Sequence, residues 1–173
     1  MAFAAVKHPE IDLACVIKSL LEAEESDGGV LTLDLDPIIG FDFGIPLFRE
    51  EKTVKFYIRE EYIRIWGLIE SKYDENCRRK FTVTGTAGIG KSLFRFYVLR
   101  RFLKFDLSLT FERVIMNFEK EYFMIDQTGN AVQVGKDEII YKESLALLDQ
   151  CDILNGVAKL RAKLTILQHL VRC

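Results

Sequence analysis

Apolar and polar positions along the chain change period several times, and each change marks an element. Ile11, Ala14, Val16, Ile17, Leu20 and Leu21 recur at helical spacing, which predicts a helix over 10–23, with Asp27-Gly28-Gly29 ending that segment. Val30-Leu31-Thr32-Leu33-Asp34-Leu35-Asp36 alternates with period two and predicts a short half-buried strand stopped by Pro37. Residues 37–52 hold neither period and read as irregular, with Gly40, Gly44 and Pro46 set among Phe41, Phe43 and Phe48. From 57 to 73, Ile58, Tyr62, Ile65, Trp66, Ile69 and Tyr73 form an apolar stripe, with Arg59, Glu60, Arg64 and Glu70 on the other face. Trp66 in that stripe reads as core.

The second half is denser. Phe81–Thr84 is a β-rich run, followed by a glycine-rich turn and by Ser92–Phe105, apolar nearly all round and predicted helical. Arg113–Phe118 and Tyr122–Asp126 are strand-like, and the turn residues Gln127-Thr128-Gly129-Asn130 lead into Ala131–Val134, so 121–134 reads as a β-hairpin. Leu145-Ala146-Leu147-Leu148 is an apolar run ending in Asp149. Leu154, Val157, Leu160, Leu164, Leu167 and Val171 then predict a helix over 153–171.

Hydrophobic residues make up 49% of the 173, which suffices for one buried core and excludes a disordered or collagenous chain. No apolar stretch approaches the roughly 18–20 residues that span a bilayer, so no membrane anchor is expected. The N-terminus lacks a basic segment followed by a long apolar block, so no signal peptide is expected and the chain reads as intracellular. Cys15, Cys77, Cys151 and Cys173 are too scattered for a zinc site and are expected to be reduced thiols.

Charge is uneven. Residues 1–46 carry nine acids against Lys7 and Lys18, whereas 91–104 carry Lys91, Arg95, Arg100, Arg101 and Lys104 with no acid. Arg100, Arg101 and Lys104 read as a solvent face, Arg95 as a neighbour of whatever binds at the start of that helix, and Arg78-Arg79-Lys80 as a solvated helix end.

The chemistry concentrates in Gly85-Thr86-Ala87-Gly88-Ile89-Gly90-Lys91-Ser92, which fits G-x-x-x-x-G-K-[ST] without a mismatch. Glycines at 85, 88 and 90 permit the backbone turns that aim successive N–H groups inward at a phosphate chain. Lys91 is spaced to reach the β- and γ-phosphates, and the Ser92 hydroxyl to ligate Mg²⁺ at the positive end of the following helix. An incidental glycine-rich surface turn would match the four fixed positions in about one chain of this length per hundred. The flanking strand and helix favour phosphate binding over that reading.

A metal site of this kind needs an acid at the end of an apolar strand adjacent to the first one. Asp149 fits, although an acid at a helix N-terminus would give the same pattern. Asp126 fits the template less well, because it shoulders the hairpin turn. Gln150 stands where a glutamate would activate water, and glutamine orients water without accepting its proton. His8 and His169 are isolated and read as surface residues.

Phe56-Tyr57-Ile58-Arg59-Glu60-Glu61-Tyr62, about twenty-five residues before Thr82–Phe94, gives a resemblance to the P-loop domain of Crinkler-type effectors of oomycetes and some fungi. That domain is similar to the trypanosome retrotransposon-hot-spot family. The resemblance covers roughly 54–150; Ala87 stands where the family pattern usually has proline. It implies Gly85–Ser92 as the phosphate loop, Asp149 as the metal-side acid, and, for the family, secretion and action on a protein or nucleic acid in a host cell or nucleus. Residues 1–46 match nothing in it.

The expected architecture is α/β: a P-loop NTPase-like, partly parallel sheet flanked by helices, with a β-hairpin insertion and a small N-terminal α/β extension. The division is an acidic helix–strand extension over 1–52 and a nucleotide-binding domain over 53–173. Only 82 residues follow Lys91, room for about three more core strands, so the domain is expected to be incomplete at its C-terminus. The expected function is Mg²⁺-ATP or Mg²⁺-GTP binding, with Lys91 and Asp149 as catalytic groups if the β–γ bond is cut. The alternatives are a non-hydrolysing interaction module that keeps the loop as a relic and a phosphotransferase with a second substrate pocket.

Overall fold

The computed structural model describes residues 9–34, 53–73, 80–85, 90–118, 121–135, 144–149 and 164–170. Among them are three helices, α1 (Pro9–Glu22), α2 (Glu60–Lys72) and α3 (Lys91–Leu103). Nine strands accompany them: β1 (Glu25–Ser26), β2 (Val30–Asp34), β3 (Thr53–Tyr57), β4 (Lys80–Gly85), β5 (Arg113–Phe118), β6 (Glu121–Asp126), β7 (Ala131–Val134), β8 (Ser144–Asp149) and β9 (Leu164–Leu170). They form a three-stranded antiparallel sheet, β1-β2-β3, and a six-stranded mixed sheet in the order β4-β9-β8-β5-β6-β7. The protein is thus mixed α/β with a partly parallel sheet. No helix among the described residues is long and apolar enough to cross a membrane.

The large sheet is parallel from β4 through β9 and β8 to β5, then antiparallel through β6 and β7. The predicted hairpin exists, but it extends this sheet outward from β5. Among the described residues three parallel strands follow the glycine-rich turn, and the hairpin brings the sheet to six.

Apart from the two-residue β1, which no pattern marked, two strands differ from the expectations. Residues 164–170, expected inside a helix over 153–171, form β9 between β4 and β8. A parallel strand flanked on both sides needs no polar alternation, so Leu164-Thr165-Ile166-Leu167 satisfies either period and tertiary pairing decides. β3 was not foreseen, although Thr53-Val54-Lys55-Phe56-Tyr57 alternates exposed and buried. It pairs along its whole length with β2, so strands on either side of residue 52 share one sheet.

Burial follows from the topology. β5 is buried from Val114 to Phe118 and β8 from Ser144 to Leu148, on both faces, as expected for central strands. α3 is buried at every position from Phe94 to Leu99, which explains its all-round apolarity. Its rings carry the packing from α2 to the sheet: Tyr62 lies 5.7 Å from Phe94, and Phe96 lies 5.9 Å from Phe118, itself 5.9 Å from Phe123. Trp66 is fully buried, as its place in the stripe implies.

The charge asymmetry has a structural use. Arg100 lies 3.9 Å from Glu25 and donates to the Ala23 carbonyl at 3.4 Å, and Lys104 donates to the Leu21 carbonyl. These cations meet the negative end of α1, where backbone carbonyls lack helical partners. Arg100 and Lys104 therefore dock α1 on α3; Lys104 is exposed, as a solvent face implies, and Arg101 is half-buried and bonds Asp106 at 3.1 Å.

Candidate functional site

The four parallel strands all end on one edge of the sheet, and the glycine-rich segment leaves from that edge. Gly85 is the last residue of β4, and Gly90 is the N-cap of α3. Thr86, Ala87, Gly88 and Ile89 lie outside the described residues, as do Gln150, Arg78, Arg79 and His8.

Gly90 has φ +87° and ψ 19°, a left-handed conformation that glycine adopts without strain. A second feature also demands glycine. A Cβ at position 90 would sit 2.3 Å from the Tyr62 hydroxyl oxygen. That hydroxyl donates to the Gly90 carbonyl at 2.9 Å, and the Phe94 amide donates to the same carbonyl at 3.0 Å. Burial pushes the Tyr62 phenol above its ordinary range, opposed in part by Arg59, so the hydroxyl stays protonated and able to donate. With its carbonyl held by these two donors, the Gly90 peptide has a fixed orientation.

Lys91 is the first residue of α3, buried, and Ser92 beside it is half-buried. The first turn of α3 contains no acid, and its last turn contains Arg100 and Arg101. The last turn complements the helix dipole, whereas a lysine at the first position opposes it. A cation there works against helix stability and in favour of an anion. α2 shows the ordinary arrangement, with Glu60 and Glu61 first and Lys72 last.

The two candidate acids separate. Asp149 ends β8 and pairs in register with Gln168, which also pairs with Val83 of β4. Asp149 thus lies at the loop end of the sheet, but β9 intervenes between β8 and β4. The expected adjacency of the acid's strand to the first strand is not observed; two strand spacings, about 10 Å, separate the backbones. β9 takes the inner place because the chain returns from β5 by two successive parallel strands, β8 and then β9.

Asp126 pairs with Arg113, at the start of β5, and so sits at the opposite end of the sheet from Gly85. Its Oδ1 accepts from the Thr128 amide at 2.9 Å, the Thr128 hydroxyl at 2.6 Å and the Asn130 amide at 3.1 Å; Oδ2 accepts from Asn130 Nδ2 at 3.1 Å. Burial alone would raise this carboxyl, but the bonds from Thr128 and Asn130 outweigh it and hold the group below the usual aspartate range. Asp126 is a turn residue. Since the folded-state pKa is depressed, its contribution is present above the ordinary aspartate pKa and lost as pH falls through the folded value. Discounted for solvent screening of this exposed turn, Asp126→Ala is expected to cost about 0.5–1 kcal/mol at neutral pH. In denaturant titrations the gap from the native protein should narrow as pH drops below 4; a gap independent of pH would contradict the assignment.

Arg95 does not lie free beside the loop. It is 3% exposed, donates to the Asn117 carbonyl at 2.8 Å and lies 5.3 Å over the Phe118 ring, tying α3 to the end of β5. Tyr62 was not foreseen as a site residue, since it reads as one member of an apolar stripe.

Comparison of the chain with protein-family models, curated proteins and solved structures finds no significant match. Among the described residues, no group of three or more His, Cys, Asp or Glu side chains could hold a metal ion.

Proposed function

We propose that the chain binds the phosphate chain of a Mg²⁺–nucleoside triphosphate, ATP or GTP, at 85–92. The observation that carries this reading is Lys91: a buried cation at the positive end of α3, following a left-handed Gly90, at the carboxyl edge of a parallel sheet. Helix N-termini at that edge are where α/β folds take anions, and a cation that opposes the dipole suits a ligand more than the fold. The strand order β4-β9-β8-β5, with α3 leading from the edge strand β4 toward distant β5, supports a P-loop type of fold. The likeness to Crinkler and retrotransposon-hot-spot proteins is proposed with it, and action on a host protein or nucleic acid belongs to that likeness alone.

In this reading backbone N–H groups of the loop hold the phosphates and Lys91 neutralises the terminal oxygens. Mg²⁺, when bound, would be held by the hard oxygen donors of Ser92 and Asp149 and would neutralise phosphate charge.

Isothermal titration with Mg²⁺-ATP should give saturable binding, and Lys91→Ala should weaken it by about 10- to 100-fold. Equal binding by both proteins, or none by either, would overturn the reading. Phosphate release by the same pair separates a hydrolysing site from a non-hydrolysing module: turnover lost in Lys91→Ala supports the first, its absence in the native protein the second.

A further inference from the structure

α2 does more than cover the core beside the loop. Its first two turns, β4 and the start of α3 enclose a cavity of about 380 Å³. That is within the range of small-molecule sites, roughly 300–1,000 Å³. Ile65, Val83 and Phe94 give it apolar walls; among the described residues Arg59, Arg64 and Lys91 border it together with the acid Glu61. Lys91 also begins α3 directly after the glycine-rich segment, so the residue that closes that segment in sequence borders the cavity. The Tyr62–Gly90 hydrogen bond at 2.9 Å fixes α2 to the residue before α3.

A ligand that suits both parts has a flat apolar body and a polyanionic tail. We propose that this cavity seats the nucleoside of the triphosphate, base against the Ile65, Val83 and Phe94 walls, with its phosphates passing Lys91 into the loop. The inference rests on the phosphate reading above. It assigns to α2 the part of the ligand that the glycine-rich segment cannot recognise, since backbone N–H groups hold phosphates whatever is attached to them. Arg59 and Arg64 favour an anionic ligand over a neutral one, and the apolar walls favour a nucleotide over a bare phosphate.

The test compares Mg²⁺-ATP with tripolyphosphate, which carries the anion without the nucleoside, on native protein, Ile65→Trp and Lys91→Ala. Ile65 is half-buried, and the larger ring fills the cavity without touching the loop sequence. Ile65→Trp is expected to weaken ATP by about tenfold or more and to leave tripolyphosphate within about twofold. Lys91→Ala is expected to weaken both. Equal effects of Ile65→Trp on the two ligands, or no effect on ATP, overturn the nucleoside seat while leaving the loop reading intact. Unchanged tripolyphosphate binding by Lys91→Ala overturns the loop reading, and the seat with it. Photo-crosslinking of native protein with 8-azido-ATP needs no variant to fold: label within 59–65 or at 83–84 supports the seat, and label elsewhere overturns it.

Discussion

Gly90→Ala should destabilise the protein by about 2–4 kcal/mol, from left-handed backbone strain and displacement of a buried tyrosine. The alanine Cβ would meet the Tyr62 hydroxyl oxygen at 2.3 Å, and Tyr62 is 3% exposed, with Phe94 and Tyr97 packed on its ring. The phenol would have to move, breaking its bond to the Gly90 carbonyl and disturbing that ring cluster. Tyr62→Phe separates the two contributions. It removes the hydroxyl, and the next ring atom lies 3.5 Å from the new Cβ, an ordinary contact. Tyr62→Phe alone should cost about 1 kcal/mol. In its presence Gly90→Ala should cost only the backbone strain, about 1–2 kcal/mol. Denaturant midpoints of the four proteins test this coupling, and strictly additive costs would contradict the contact.

Arg95→Ala should cost about 2–4 kcal/mol, through a lost charge-assisted bond and lost packing under α3. The side chain is almost wholly buried, its Nη1 holds the Asn117 carbonyl, and its guanidinium covers Phe118. Lysine cannot reproduce a planar group that bonds at its edge and stacks on its face, so Arg95→Lys should recover less than half of the loss. Thermal and denaturant unfolding check both variants. A cost under about 0.5 kcal/mol for Arg95→Ala, the range of ordinary surface substitutions, would show that the tie between α3 and β5 is dispensable.

Much of this architecture was legible where one local period dominates. The stripe through Tyr62, Trp66 and Ile69 gave α2, and strict alternation from Val30 gave β2. The turn chemistry of Asp126-Gln127-Thr128-Gly129-Asn130 gave the hairpin, because Asp126 closes that turn with its own side chain. Gly129, at φ +88°, supplies the left-handed residue the turn needs and leaves room for Ile17 of α1. β9 was not legible, since a short apolar run satisfies both periods and only its place between β4 and β8 selects a strand.

The site divides in the same way. The loop residues are contiguous, so spacing alone marks Gly85, Gly90, Lys91 and Ser92. Asp149 was found by its apolar strand, but its separation from β4 by β9 depends on strand order, which no local pattern encodes. Tyr62 is 28 positions from Gly90, and nothing in an apolar stripe distinguishes the one member whose polar tip reaches another element. The early concentration of positive charge over 91–104 has a mixed explanation. Arg100 and Lys104 hold the end of α1, Arg95 the end of β5, and Arg101 bonds Asp106; Lys91 stands at the helix end whose dipole does not favour a cation.

In the proposed reading, backbone amides of 85–92 hold a nucleotide's phosphates. Amide hydrogen exchange with and without Mg²⁺-ATP tests it most directly. Slowed exchange across 85–92 in the native protein, absent from Lys91→Ala at the same nucleotide concentration, is the predicted result. Exchange in that segment unchanged by nucleotide, or slowed equally in Lys91→Ala, would contradict it.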